Sequence, residues 1–293
     1  EIEVISIYTP DQLHGLHMRQ ALEAGKHVIV TKPMLTSLED ADGLLKAAEK
    51  SGKHVFVGQS SRFFEPMIHQ RKDFLDGRLG EVDTVDTYYI SDARWFLERG
   101  WVKQKGFSWM YNFMIHAVDL AKWYLPGIEE AFGYGHSSAT NKEHGLTTPD
   151  TMRCLLRDEQ GRIAQVSGSY TKPALRNIDP GIGCTLRGTL GTTRSVYSQL
   201  KYYTKFTGES PAVHSYDEKE PYYFRFEGKS HHAGEYQNYI EYFAECLDNG
   251  ETPKPDLNEG LHTIAIMTAL ERSMETGLPV KVNDILKEYS LHL

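Results

Sequence analysis

The sequence predicts an α/β protein: a truncated Rossmann-type parallel sheet, followed by an α+β domain with a large, mostly antiparallel open sheet. Three observations carry this reading. Short apolar runs alternate with amphipathic helical stretches up to Gly58, and longer alternating strands with few helices between them follow. The 293 residues suffice for two domains of ~100–200 residues each.

Residues 2–8 (IEVISIY) alternate like a buried strand. The strand stops at Thr9-Pro10-Asp11, where Pro and Asp suit a helix's first turn. A helix over 11–24 follows, with Leu13, Leu16, His17, Gln20, Ala21 and Leu22 near helical spacing and Gly25 as its stop. Residues 27–30 form the next strand. A second helix is expected to begin at Ser37, with Asp40 three residues on as an acidic variant of the capping box. It places Leu38, Ala41, Leu44, Leu45 and Ala48 on one face and ends at Gly52. Residues 53–57 form a third strand. Short strands buried on both faces and separated by helices mark a parallel sheet.

Beyond Gly58 a helical stretch over 65–78 runs into Gly77 and Gly80. Strands are expected over 81–90, 131–137, 150–157, 162–170, 183–188, 192–197, 199–206 and 220–226. Hairpin residues separate some of them, as at Asp158-Glu159-Gln160-Gly161 and Gly188-Thr189-Leu190-Gly191. Helices over 108–125 and 231–249 interrupt. A last helix over 257–276 aligns Leu261, Ile264, Ala265, Thr268 and Ala269 before Gly277. The chain thus divides into 1–60 and 61–293, with helix 257–276 packing back on the first part.

Composition narrows the function. Hydrophobic residues make up 40% and charged residues 25%, as in ordinary folded domains. The net charge of −8 gives no support to a nucleic-acid surface. Cys154, Cys184 and Cys246 are scattered and read as reduced, buried thiols. No apolar run approaches the ~18 residues of a membrane span, and no signal peptide is visible. The expectation is a soluble, cytoplasmic enzyme or binding protein. The chain opens in mid-strand at Glu1 without a Met, from which a missing upstream segment is expected.

In a doubly wound sheet, ligands bind outside the carboxyl ends of the strands. Residues 9–11, 31–33 and 58–62 occupy such ends. Lys32 follows an apolar run directly, with Pro33 stiffening the turn behind it. It reads either as a solvated loop lysine or as a fixed ammonium for a sugar hydroxyl or developing alkoxide. Within the helix 108–125, Asn112, His116, Asp119 and Trp123 fall on one stripe. His116 reads either as a hydrogen-bonded core histidine or as a neutral general base, and Asp119 as support for the fold. His116 and Asp119 with His231 and His232 match no zinc spacing, and no metal is expected. Arg62, Arg94, Arg99 and Lys103 each face either an anion or solvent.

Six segments in register resemble the Gfo/Idh/MocA oxidoreductases, the glucose–fructose oxidoreductase and inositol dehydrogenase family. Residues 24–33 (AGKHVIVTKP) are similar to its AGKHVxxEKP segment, and 9–14 (TPDQLH) to its TPNxxH segment. Arg62-Phe63 near Pro66 resembles RFxP, 188–192 (GTLGT) resembles the GxxG turn, and 115–120 (IHAVDL) resembles HxxDL. Residues 258–280, from Asn258-Glu259-Gly260-Leu261 to Gly277-Leu278-Pro279-Val280, resemble the closing EGLR…SxxTGxPV helix.

The resemblance implies an NAD(P)-dependent oxidoreductase acting on a hydroxyl or carbonyl of a sugar, polyol or inositol-like substrate. The EKP lysine and the Asp-x-x-x-His pair of the family fall here on Lys32, Asn112 and His116. His116 would take the hydroxyl proton while Lys32 polarises the oxygen. NAD or NADP would meet Thr9, Pro10, His14, Thr31, Lys32, Pro33 and Arg62; substrate would meet Lys32, Asn112, His116 and Trp95. Trp95, Phe96, Trp101, Trp109 and Tyr111 are candidates to stack on a pyranose or shield the nicotinamide, or else are core.

Three departures stand out. Thr31 replaces the usual Glu, and Asn112 replaces a common catalytic Asp, so its amide can bond substrate or His116 but supplies no negative charge. No GxGxxG occurs, and Gly181-Ile182-Gly183 lacks the third glycine. These departures motivate an alternative, a non-catalytic member that binds a carbohydrate or a partner. The family also implies a homo-oligomer through the C-terminal sheet. Tyr197, Tyr202, Tyr203, Phe206, Tyr222, Tyr223 and Phe224 are expected on the uncovered face of that sheet, or else fill the domain's own core under the helices.

Overall fold

The computed structural model describes residues 2–103, 107–175, 181–225 and 233–293. The side chains of Trp101 and Lys103, and residues Phe226, His231 and His232, lie outside the described residues.

The first 58 residues supply β1 (Val4–Ile7), α1 (His14–Glu23), β2 (His27–Thr31), α2 (Ala41–Ser51) and β3 (Val55–Gly58). A 3-10 turn, Asp11–Leu13, leads into α1. The strands form a parallel sheet in the order β1-β2-β3. Because alternate side chains leave opposite faces, Ile29 and Phe56 meet Tyr239 and Phe243 on one side. Val28, Val30, Val55 and Val57 enter the main core on the other. Burial on both faces explains why these strands read as unbroken apolar runs.

The expected capping box at Ser37 does not form. The helix begins after Asp40, no side chain caps it, and the Ser37 hydroxyl accepts instead from the Glu39 N–H at 3.2 Å. Leu35 and Leu38 are both buried, so residues 35–40 serve to seat these side chains before the helix starts.

The rest of the chain comprises α3 (Glu65–Leu75), β4 (Val82–Ile90), α4 (Ile115–Tyr124), β5 (Ile128–His136), α5 (Ala139–Glu143), β6 (Thr151–Asp158) and β7 (Ile163–Ser169). It continues through β8 (Gly181–Gly188), β9 (Gly191–Val196), β10 (Lys201–Phe206), β11 (Ala212–Ser215), α6 (Glu220–Tyr223), α7 (Gly234–Asn249), α8 (Leu257–Thr276), β12 (Val280–Lys281) and α9 (Val282–Glu288). The large sheet has nine described strands in the order β11-β10-β9-β8-β4-β7-β6-β5-β12. All neighbours are antiparallel except β4 and β7, which run parallel at its centre. Helices α3, α4 and α8 pack on one face of it. The Gln70 amide of α3 is buried there, donating to Cys184 O at 3.1 Å and Thr193 Oγ1 at 3.0 Å. All three cysteines are buried free thiols.

Two expectations about the aromatic residues need correction. Residues 220–223 are helical rather than a strand: Pro221 sits in the first turn of α6 and can donate nothing to a ladder. The rings are drawn inward, with Tyr223 stacked on Phe64 at 5.0 Å and its hydroxyl 3.2 Å from Glu65 Oε2. Nor do the rings at 197–206 and 222–224 form an uncovered sheet face. Tyr197, Tyr202, Phe206 and Tyr223 are buried in the domain's own core, and Phe224 lies 6.2 Å from Phe64. The opposite face instead exposes Tyr134, Leu155 and Ile163, with ion pairs Glu130–Arg157 and Asp86–Arg187 among them.

Candidate active site

The carboxyl ends of β1 and β2 meet the segment leading into α4, and this junction assembles the candidate site. Lys32 directly follows Thr31, the last residue of β2, and begins a cis Lys32-Pro33 bond. Its Nζ donates to the backbone carbonyl of Asn112 and lies 5.7 Å from the centroid of the Phe113 ring. Burial pushes the Lys32 ammonium down to about 8, and the carboxylate of Asp11 opposes that shift. An amine so placed stays largely charged at neutral pH and holds its proton loosely.

Asn112 reaches this position because the expected helix is not regular. Met110–Met114 form a π-helical turn, with the Ile115 N–H reaching back five residues to Met110 O. Such widened turns redirect side chains and recur at functional sites. The Asn112 amide donates to Asp11 Oδ2 at 2.5 Å, while its Oδ1 accepts from the Ser108 N–H at 3.4 Å. The two contacts together fix which end of the amide is which.

His116 sits in the first turn of α4, buried, with Nδ1 3.3 Å from Ser61 Oγ and the Tyr89 ring edge-on at 5.7 Å. The Asn112 amide is taken up by Asp11 and Ser108. Further along α4, Asp119 accepts a bidentate pair from Arg62, Nε and NH2 both at 2.7 Å. Arg62 also lies 3.5 Å from Glu259 and 5.0 Å from the Trp123 ring. The structure therefore confines Arg62 to a buried joint between residues 60–63, α4 and α8. The carboxylate partners hold its charge firmly against the penalty of burial. Asp119 supports the fold, as its sequence position suggested. Arg94 pairs with Asp92 at 2.6 Å.

The β1 end is tied to the Lys32-Pro33 turn by His14, which is buried. Its Nδ1 lies 2.7 Å from Pro33 O and its Nε2 2.8 Å from Thr9 O. Thr9 Oγ1 in turn meets His17 Nδ1 at 2.9 Å, and Pro10 O accepts from Leu13 N at 2.8 Å. Thr31 pairs with Gly58 across β2 and β3. Immediately after β3, Gln59 is buried, and its Oε1 has no hydrogen-bond partner among the described residues.

Of the aromatic candidates, Trp109 and Tyr111 are core, whereas Trp95 is 43% exposed. Trp95 meets Phe96 at 5.3 Å, and Phe96 meets Phe113, the ring beneath Lys32, at 5.1 Å. The Arg99 guanidinium lies 4.8 Å from the Trp95 ring. Asp11, Gln59 and Ser61 are the residues that sequence reasoning did not single out. All three stand in strand-end segments, but Asp11 meets Asn112 across 101 residues of chain, which no local pattern reports.

Two family models match the chain. The NAD-binding Rossmann fold of an oxidoreductase family covers residues 1–59, and the C-terminal alpha/beta domain of the same family covers residues 71–282. The chain belongs to the Gfo/Idh/MocA oxidoreductase family. A relative from Comamonas testosteroni, 1-carboxy-3-chloro-3,4-dihydroxycyclohexa-1,5-diene dehydrogenase, is 41% identical over 191 residues. That match covers 62% of this chain and 45% of the relative. The scyllo-inositol 2-dehydrogenase (NAD+) of Bacillus subtilis is 26% identical over 297 residues, covering 99% of this chain and 80% of its own. A crystal structure of an Agrobacterium radiobacter oxidoreductase with NAD+, L-tartaric acid and magnesium shares the fold. Its TM-score is 0.83 at 19% identity, with 97% of this chain and 81% of that one covered. Among the described residues, no helix is long and apolar enough to cross a membrane, and no three His, Cys, Asp or Glu are grouped to hold a metal ion.

Proposed function

We propose that the protein is an NAD(P)-dependent oxidoreductase acting on a hydroxyl or carbonyl of a sugar, polyol or inositol-like substrate, with Lys32 and His116 at the reacting oxygen. The observation that carries this is the seat of Lys32, whose ammonium is partly desolvated at the carboxyl end of β2 and held by Asn112 O. The activity of the Bacillus relative, a scyllo-inositol 2-dehydrogenase matched over almost the whole chain, supports the substrate class.

The structure offers one test of whether the cofactor fits. Gln59 Oε1 is an orphaned, buried acceptor at the end of β3, and a carboxamide N–H of a nicotinamide would satisfy it. Thr9, Pro10, His14, Thr31, Lys32 and Pro33 line the neighbouring strand ends. A nicotinamide bound there would supply hydride chemistry at the substrate carbon.

The chain's own residues do the rest. One Lys32 N–H is spent on Asn112 O, and the ammonium has two more to direct at a substrate oxygen. Ser61 sets the rotation of the His116 ring, which takes the proton as the hydroxyl becomes a carbonyl. The positive charge of Lys32 stabilises the developing alkoxide. Trp95, exposed and braced by Arg99, offers a face for an apolar side of a sugar ring.

The test is nicotinamide absorbance with a panel of inositols and sugars. Lys32→Ala and His116→Ala are each expected to lower kcat by ~10²–10⁴-fold, and unchanged turnover in both variants removes the assignment. A second reading, a non-catalytic binder, draws on Asn112, which brings no charge of its own to His116. Calorimetry separates the two, since a protein that takes up an inositol but no NADH or NADPH is the binder. The exposed Tyr134, Leu155 and Ile163 on the outer face of the large sheet support a homo-oligomer formed there, which a monomer by light scattering at micromolar concentration would exclude.

A further inference from the structure

Asn112 is gripped twice from the first parallel sheet. Its backbone carbonyl takes the Lys32 ammonium, and its side-chain amide gives a hydrogen bond to Asp11 at 2.5 Å. Asp11 stands in the 3-10 turn after β1, with no ion-pair partner among the described residues. The amide's other end is committed to the Ser108 N–H, so the NH2 group must face the carboxylate. A carboxylate at position 112 would confront Asp11 at hydrogen-bond distance, and two such groups cannot both ionise there. Position 112 is therefore neutral because the negative charge already arrives from β1.

We propose that Asp11 is the site's carboxylate, a positioning residue that acts through Asn112 and Lys32 to hold the ammonium charged and aimed at the substrate oxygen. The role assigned to Lys32 rests on the oxidoreductase reading above, but the coupling between Asp11 and Lys32 does not. Asp11 is the one charged side chain among the described residues that acts appreciably on Lys32, and the remaining neighbours, the Phe113 ring and the Asn112 carbonyl, are uncharged. The substrate this favours carries an oxygen that becomes negative during reaction, since the pair Asp11–Lys32 is neutral overall and an added carboxylate or phosphate would meet Asp11 unshielded.

The experiment follows the Lys32 amine by NMR after selective isotopic dimethylation, in the full-length protein without ligand. Wild type is compared with Asp11→Asn and with the exchanged pair Asp11→Asn/Asn112→Asp. Loss of the carboxylate is expected to lower the Lys32 titration by about one pH unit, and the exchanged pair to restore it. In turnover, the alkaline limb of the kcat profile should move with it, lower in Asp11→Asn and recovered in the double variant. An Asp11→Asn protein whose Lys32 titrates as in wild type overturns the inference. A protein that turns over no sugar or inositol, yet whose Lys32 titration moves with Asp11, rejects the oxidoreductase reading and leaves the coupling in place. Circular dichroism of Asp11→Asn guards against simple unfolding, and the exchanged pair, which keeps the amide–carboxylate bond, separates charge placement from packing.

Discussion

Lys32 and Lys122 are the same residue type, and burial pushes both ammonium groups down to about 8, yet their surroundings differ in kind. Lys122 is buried on α4 and donates to Glu259 O at 3.1 Å. Asp119, Glu259 and Asp256 favour its charge while Arg62 opposes it. Arg62 in turn is saturated by Asp119 and Glu259. Every charge there answers another inside the protein, and the set joins residues 60–63 and α4 to α8. Around Lys32 there is one carboxylate, one carbonyl and a ring. Incomplete compensation beside the strand ends is what a ligand oxygen can complete. A depressed lysine is thus not by itself a mark of chemistry; the unfilled part of its shell is.

The comparison breaks most visibly at the saturated joint. Asp119→Ala leaves Arg62 buried with only the more distant Glu259, and a broken buried pair costs about 3–5 kcal/mol. Urea unfolding should show that loss, and a change under 1 kcal/mol would mean the joint is dispensable. Next in size is a pH effect. The unfolded lysine titrates near 10.5 and the folded Lys122 near 8, so between these values the unfolded chain holds more protons and stability rises with pH. The penalty is full below pH 8 and relieved by pH 10.5. Lys122→Met should therefore stabilise at pH 7 by on the order of 2 kcal/mol, with the gain shrinking across that window. A gain independent of pH would trace it to packing instead. The same substitution at Lys32, whose ammonium is pushed down equally far, should stabilise by a similar amount, on the order of 2 kcal/mol at pH 7, while removing turnover.

Much of the scaffold was legible because its signals are local. The alternation of apolar runs with helices through Gly58, and the stops at Gly25, Gly52 and Gly277, all follow from period and from left-handed glycine. Ser37 misled because a capping box is a pattern of four residues, and the burial of Leu38 outweighed it. Tyr222-Tyr223-Phe224 misled because aromatic residues favour strands only where a ladder is free to accept them. In the candidate site, the strand-end place of Lys32 and the helical place of His116 followed from local pattern, but the π turn could not be read, since nothing in Met110–Met114 announces it. The contact between Asp11 and Asn112 was hidden for a different reason: it joins segments 101 residues apart, and the neighbours of neither residue in sequence point to the other.

Helix α8 places glycine against the small sheet, where a Cβ at Gly260 would lie 2.8 Å from both Val57 Cγ2 and Met34 Sδ. Just before it, Pro255 O accepts from Val57 N and Asp256 bridges to Phe56. The wall that closes over β3 is thus encoded about 200 residues downstream of it, and at ~5–20 residues per second a ribosome takes some ~10–40 s to supply it. Through that interval Val57 and Met34 have no lid. A nascent chain of this kind offers an apolar surface to chaperones for as long as translation lasts, and slowing translation after residue 60 should lengthen that exposure.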